Sequence, residues 1–411
     1  MKLVRAFLPT FLFASGAYAQ TPSAPVVIKD ECGMVLHLEF SPTGGELARL
    51  CFGYEVVLLD TTSYRRARTF LSETEHTPKL RVFAYSPDGT FIATVMGDSA
   101  EVWNAADPGK PVPKEKSISD MYVLYALDTP LKVFEAHHHS GDAKMLLNVL
   151  TLRFSPDGKL LITAHGNGHM KVWNTSSWTI ERELIAFPDL GLGMGGIQFS
   201  PDGKLLITMH ANGHVKVWNT SSWTVEGELI VADSHLLGAT FAPDSKTIII
   251  GDKNGVLHDW SLATKAEIRT LRTFEGVDIV FNVSFSPDGK TMVASYEPKQ
   301  NQRTVMIWNT TDWTAEAESG YNCAAFSKDG KLLALGGRND IKLIDPDSRE
   351  QIRDIELPEM TRGEVGLSDK DAPDAKEKIP CFVSTLAFSP DGDTLAAGCL
   401  EGTVRLLKVA P

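Results

Sequence analysis

An all-β ring of repeated four-stranded sheets, a β-propeller, is the fold class that three features of the sequence predict. The first is a 32-residue stretch written twice, FSPDGKLLITAHGNGHMKVWNTSSWTIERELI from Phe154 and FSPDGKLLITMHANGHVKVWNTSSWTVEGELI from Phe199. The copies differ only at Ala164/Met209, Gly166/Ala211, Met170/Val215, Ile180/Val225 and Arg182/Gly227. The second is their 45-residue offset, which with a Trp-terminated strand in each unit is a propeller period. The third is the anchor F-S-P-D-G, intact or decayed, which starts at Phe40, Tyr85, Phe154, Phe199, Phe241, Phe285, Phe326 and Phe388. Successive anchors lie 45, 69, 45, 42, 44, 41 and 62 residues apart, so the second and last intervals hold insertions, at about 105–149 and 358–380.

Each unit has one grammar. A short apolar run leads into Ser-Pro-Asp-Gly, where Pro presets φ and Gly accepts the positive φ of a tight turn. A second apolar strand follows (KLLIT, TIIIG, TLAAG) and then a polar hairpin turn containing Asn-Gly or Gly-Asn. The third strand ends at Trp103, Trp173, Trp218, Trp260 or Trp308, with Leu59, Ile344 and Leu407 in the remaining copies. A more polar fourth strand (TIEREL, AEIRTL, EQIRDI) completes a blade.

FSPDGKLLIT followed by KVWN resembles the most recognisable stretch of the WD-repeat family, and the resemblance covers nearly the whole chain after the N-terminus. It implies a ring whose last blade borrows its outer strand from the other terminus, and a top face where partners bind. The segment Pro25-Val26-Val27-Ile28-Lys29 has strand composition and precedes the first anchor, while the chain ends after the third strand of the eighth copy. It is read as the closing strand of an eight-bladed ring, with seven blades plus one aberrant unit as the alternative; closure leaves no exposed sheet edge. Both insertions are expected on the top face, the second charged and mobile. The family's Trp-Asp is Trp-Asn at Trp103-Asn104, Trp173-Asn174, Trp218-Asn219 and Trp308-Asn309, and its Gly-His is missing. These departures predict blades that lean on apolar packing instead of a buried His-Ser-Trp-Asp network.

Residues 1–19 read as a secretory signal, with Lys2 and Arg5 before a short apolar run and Ala17-Tyr18-Ala19 as the cleavage site. The expected domain is then a single propeller over 20–411, periplasmic or extracellular, with no membrane-inserted segment. Losing those two cations takes the formal net charge from −12 to −14, a poor match for nucleic acid or an anionic membrane. The chain holds no Gly-rich phosphate loop, G-x-S-x-G elbow, H-E-x-x-H or C-x-x-C. Hence no cofactor and no catalytic residue is assigned, and the expected molecule is a monomeric ring that docks a protein or peptide.

Eleven residues past each anchor lies the end of the second strand, near the top face. His165, His210, Asp252 and Tyr296 stand there, with His169 and His214 opening the third strands, and these six are the expected partner-binding residues. His165, His210 and Asp252 are also the metal candidates of an alternative reading, a metal-assisted hydrolase or lactonase. Against it, the paired His positions follow from duplication of the unit. The run His137-His138-His139 reads as a solvated loop, and the sequons at Asn174, Asn219, Asn282 and Asn309 as by-products of the repeat. A third reading, glycan binding, would use Trp178, Trp223 and Trp313, which packing between blades explains equally well. Five cysteines leave at least one thiol unpaired within the chain. Ring topology puts Cys32 and Cys381 in adjacent top-face connections, whereas sheets about 10 Å apart keep Cys51 from Cys399. A Cys32–Cys381 bond is therefore expected, with Cys51, Cys323 and Cys399 reduced.

Overall fold

The computed structural model describes residues 25–29, 34–52, 55–71, 82–96, 99–105, 133–134, 149–186, 194–210, 213–231, 236–252, 254–272, 277–298, 303–365 and 374–409. Among these there is no helix, hence none long and apolar enough to cross a membrane. The strands form eight four-stranded antiparallel blades arranged as a β-propeller. Blade 3 shows the pattern: Val149–Phe154 innermost, then Leu160–His165, His169–Asn174 and Thr179–Ile185 outermost. The ring closes as expected. Val26–Ile28 is the outer strand of blade 8, pairing with Val404–Lys408 in the register Val26↔Leu406, Val27↔Arg405 and Ile28↔Val404.

Second and third strands bury nearly every residue, in patterns such as iBBBBB at Leu160–His165, because each is covered on both sheet faces by neighbouring blades. Fourth strands are exposed, which explains their polar composition. The Ser-Pro-Asp-Gly turns define a lower face. In blade 3 the Ser155 hydroxyl donates to Asp157 at 2.7 Å and accepts the Leu160 N–H at 2.9 Å, fixing the hairpin before the second strand begins. That hydroxyl is the main reason the Asp157 carboxyl is held below its usual range. Adjacent turns also interlock. A Cβ at Gly89 would lie 3.4 Å from Pro42, at Gly203 3.6 Å from Pro156, and at Gly330 3.4 Å from Pro287, each the proline of the preceding blade. Only where Lys328 replaces that proline does the next glycine, Gly392, face open space.

Asn174 ends the third strand by accepting the Ser176 and Ser177 N–H groups at 2.9 and 3.0 Å, and Asp60 caps Thr62 and Ser63 in the same way. An acceptor is all this turn requires, so Asn serves where the family motif has Asp. The buried polar network is not replaced by apolar packing alone. Trp103, Trp173 and Trp218 each donate their indole N–H at 3.1 Å to Thr94, Thr163 and Thr208 of the second strand. Blade 5 has Ile250 at the threonine position, and there the buried Trp260 indole N–H has no partner.

Two expectations about the insertions change. Val133–Phe134 pairs with Ser99–Asn104 as the fourth strand of blade 2, so it divides the first insertion. Residues 106–132 and 135–148, on either side of that strand, lie outside the described residues. The second insertion is not a plain mobile loop where it is described, since Met360–Thr361 and Lys378–Ile379 form a two-stranded ladder at its base. The triple His, like the N-terminal segment 1–24, lies outside the described residues.

The cysteine expectation is corrected. Cys381 is disulfide-bonded to Cys399, with Cα atoms 5.5 Å apart, and not to Cys32, which lies outside the described residues. Val383 pairs with Cys399 across the first two strands of blade 8, so the residues just before Val383 run directly beside Cys399 within one sheet. The spacing between blades, which argued against Cys399, does not bear on that pair. Cys51 is disulfide-bonded as well, so neither it nor Cys399 is a reduced thiol. Cys323 does carry a free thiol, pushed up to about 12 by burial.

Candidate functional site

The six residues assigned to the top face stand at the expected strand ends, but four of them do not reach solvent. His165, His210, Asp252 and Tyr296 are 4%, 1%, 3% and 2% exposed. Each serves its own blade. His165 and His210 bring ring Nε2 to 3.1 and 3.0 Å from Thr163 and Thr208, extending the tryptophan–threonine pairs. Burial, then the charges of Lys216 and His214, hold the His210 imidazole down at about 4. Asp252 closes the second hairpin of blade 5 by accepting the N–H groups of Asn254 and Val256 at 2.9 and 2.8 Å. Tyr296 packs beside Trp308, with ring centroids 6.3 Å apart.

His169 and His214 are half-buried and turn to the fourth strand, at 3.4 Å from Glu183 and 2.9 Å from Glu228. His165, His210 and Asp252 are not brought together: among the described residues the one group of three potential metal ligands within reach of each other is Cys381, Cys399 and Glu401. Trp178 and Trp223 are buried and spent on packing; Trp178 meets Phe91 of the preceding blade edge-on at 5.1 Å, and Trp313 lies under the Arg269 guanidinium at 4.4 Å.

The threonine of the second strand gives a way to test this arrangement. Thr163 accepts from Trp173 and contacts His165, all inside the blade. Thr163→Val keeps shape but removes the hydroxyl that the Trp173 and His165 ring nitrogens meet, and should cost about 1–3 kcal/mol in chemical denaturation. An unchanged midpoint would mean the network carries no stability.

Among the described residues the upper face does expose an apolar group. Leu36 and Phe52 of blade 1 are 44% and 53% exposed, and Phe382 and Leu400 of blade 8 are 37% and 36% exposed. All four sit at the upper ends of first strands or in second hairpin turns, where the Phe52 N–H meets the Met34 carbonyl and the Leu400 N–H meets that of Phe382. Arg338 of blade 7 lays its guanidinium 5.2 Å over the Phe382 ring. Beside them rises the ladder of the second insertion, tied to the closing strand by Lys29–Glu364 at 3.8 Å. Composition at fixed repeat offsets could not single these residues out, because their exposure depends on which connections are short.

The central channel offers a second surface, with polar residues among its walls. A cavity of about 390 Å³ opens at its lower mouth, bounded by Leu38, Glu39, Phe326, Lys328, Leu386 and Phe388. Desolvation within the ring raises the half-buried Glu39 carboxyl to about 7, although Arg153 from blade 3 pulls the other way. Desolvation, helped by Arg153, holds His37 down at about 4, although half of its side chain stays accessible. Because folded Glu39 binds its proton more tightly than the unfolded chain does, its contribution is complete below pH 4.5 and is lost as pH rises through about 7. His37 acts in the opposite sense, so stability gained from it grows as pH rises between about 4 and 6.5. Glu39→Gln isolates the first effect: the variant should match the parent near pH 4.5 and melt higher above pH 7.5. Equal melting curves at both pH values would remove the assignment.

With this geometry in hand the class is plain: the chain is an eight-bladed β-propeller that carries WD40 repeats in four places. The WD40 family model, described as WD domain, G-beta repeat, matches in four places, residues 128–174, 193–219, 268–309 and 378–407. Among curated proteins it is similar to small ribosomal subunit protein RACK1y of Oryza sativa subsp. japonica, 25% identical over 173 residues, 41% of this chain and 45% of that one. It is similar also to RACK1z of Arabidopsis thaliana, 24% identical over 131 residues, 31% of this chain and 38% of that one. The chain thus spans less than half the length of the relatives it matches. A crystal structure of the computationally designed Ika8 protein superposes with a TM-score of 0.64 at 16% identity, covering 93% of this chain and 98% of that one, which speaks to the fold alone.

Proposed function

We propose that this propeller is an exported, non-catalytic platform that docks a protein or peptide on its upper face. The observation that carries the reading is the apolar patch of Leu36, Phe52, Phe382 and Leu400 beside Arg338. Aromatic, aliphatic and arginine side chains grouped on an exposed surface are the composition of interface centres, and contiguous exposed apolar surface on a soluble ring otherwise favours aggregation. The WD40 repeats support the reading, since WD40 propellers typically serve as protein-interaction scaffolds. Export is supported by the signal-like residues 1–19 and by disulfide bonds at Cys51 and Cys381–Cys399, which persist in oxidising compartments. The ribosomal setting in the relatives' names is not carried over, because a net charge of −12 suits RNA poorly.

The test joins location to surface. Fractionation with N-terminal sequencing should find a mature chain outside the cytoplasm starting near Gln20. A photo-crosslinker at Phe52 or Leu400 should trap one partner, and Phe52→Asp with Leu400→Asp should abolish its capture while Ile268→Asp, on an outer strand, retains it. Equal capture by all variants, or turnover of a small substrate by the purified ring, would sink the proposal.

A further inference from the structure

The upper edge of blade 8 carries a cluster that neither docking nor ring closure requires. Cys381 and Cys399 are fully buried, and Glu401, two residues beyond Cys399, has a side chain only 5% exposed. The two sulfurs and a Glu401 carboxylate oxygen all lie within 4.8 Å of one another. Oε1 of Glu401 is well served: it accepts from the Thr403 hydroxyl at 2.8 Å and from the Arg405 guanidinium at 3.2 Å. Oε2 is buried with no hydrogen-bond partner. A desolvated carboxylate oxygen without a donor is costly, and such a carboxylate beside two sulfurs asks for a cation to which it can bind.

Charge balance points the same way. Arg405 is itself completely buried and fixed, donating to Glu401, to the Thr403 hydroxyl at 3.1 Å and to the Pro358 carbonyl at 3.1 Å. It neutralises the lone carboxylate while the sulfurs are bonded. Two thiolates would add two negative charges in the same dry pocket, and one divalent cation cancels them. Thiolate and carboxylate together suit zinc, a borderline-soft ion that takes both ligand types. The hairpin turn after Cys399 reaches the surface at Leu400, so an entry path for the ion is short.

We propose that Cys381, Cys399 and Glu401 form a redox-dependent site for one zinc-like divalent cation, closed as a disulfide when oxidised and able to hold the ion when reduced. The exchange balances. A dithiol reductant gives two electrons and two protons to the Cys381–Cys399 bond and is itself oxidised to a disulfide. The two thiols then release their protons as the metal–sulfur bonds form. Blade 8, which carries the ring's seam, is thereby stapled in either redox state.

Cobalt(II), a spectroscopic stand-in for zinc, tests this on the full chain. A phosphine reductant, which becomes the phosphine oxide as water supplies the protons, avoids competing thiols. Reduced protein should take up one cobalt per chain, with thiolate-to-cobalt charge-transfer absorption and the ligand-field bands of a tetrahedral site, while oxidised protein shows neither. Glu401→Gln keeps both sulfurs and should bind at least about tenfold more weakly. Cys399→Ser should lose the charge-transfer band, and Cys51→Ser with Cys323→Ser should keep it. No cobalt uptake by the reduced chain, full absorption in Cys399→Ser, or parental affinity in Glu401→Gln would each overturn the site; Glu401→Gln also decides the case if the serine variants fail to fold.

Discussion

A chain carrying Val26→Gly, Val27→Ser and Ile28→Gly is expected to unfold about 2.5–5 kcal/mol more easily than the parent and to self-associate. The magnitude combines loss of the buried Ile28 side chain, about 1.5–3 kcal/mol, with two glycines placed in a strand, about 0.5–1 kcal/mol each. Ile28 belongs to the cluster that joins blade 8 to blade 1, with Val35, Leu38, Val404 and Leu406. Losing the strand also bares the edge of Val404–Lys408, a row of unpaired backbone groups that another chain can pair with. Urea unfolding and sedimentation measure the two effects separately. A monomer with an unchanged midpoint would mean that the ring does not depend on its N-terminal strand.

That strand was legible because the eighth copy lacks one strand of the four and a spare run of apolar residues precedes the first anchor, both visible in the repeat. Blade number was legible for the same reason, since eight anchors survive even where Lys328 replaces proline or Ser245 stands in the glycine's place. Burial at the candidate site was not. Counting from the anchor puts His165, His210, Asp252 and Tyr296 at strand ends, yet the second strand is flanked within its sheet on both sides and covered by neighbouring blades, so its last residue is still interior. The Cys381–Cys399 pair failed for a related reason. Both flank one Ser-Pro-Asp-Gly hairpin, and counting the antiparallel register back from that turn puts the residues before Val383 beside Cys399. Weighing distances between blades passed over this partner inside the blade. Val133–Phe134, only two residues long, offered no period to read at all.

Gly398→Leu is the single substitution expected to cost most, because it acts where blade 8 meets blade 1. A Cβ at Gly398 would lie 2.5 Å from Val35 Cγ1, 2.8 Å from Thr385 Cγ2 and 3.0 Å from Val35 Cβ. None of these can swing away: Val35 is fully buried and β-branched, and Thr385 is the cross-strand partner of Gly398. Overpacking of this kind costs about 1–3 kcal/mol and sometimes more, and a whole leucine at sub-contact distance belongs at or above the upper end. The same accommodation recurs around the ring with sizes exchanged. Gly251 faces Val280 at 2.9 Å and Gly336 faces Val383 at 2.5 Å, whereas blade 4 places Met209 in the second strand and a glycine, Gly196, opposite it at 2.6 Å. Volume at this contact is therefore shared between partners, which predicts coupling. Val35→Ala alone should destabilise by leaving a void, yet in the Gly398→Leu background it should restore part of the loss, with an interaction energy on the order of 1–3 kcal/mol. Additive losses in denaturant melts would show that the two side chains do not compete for one space, and that the seam tolerates leucine by moving the blades apart.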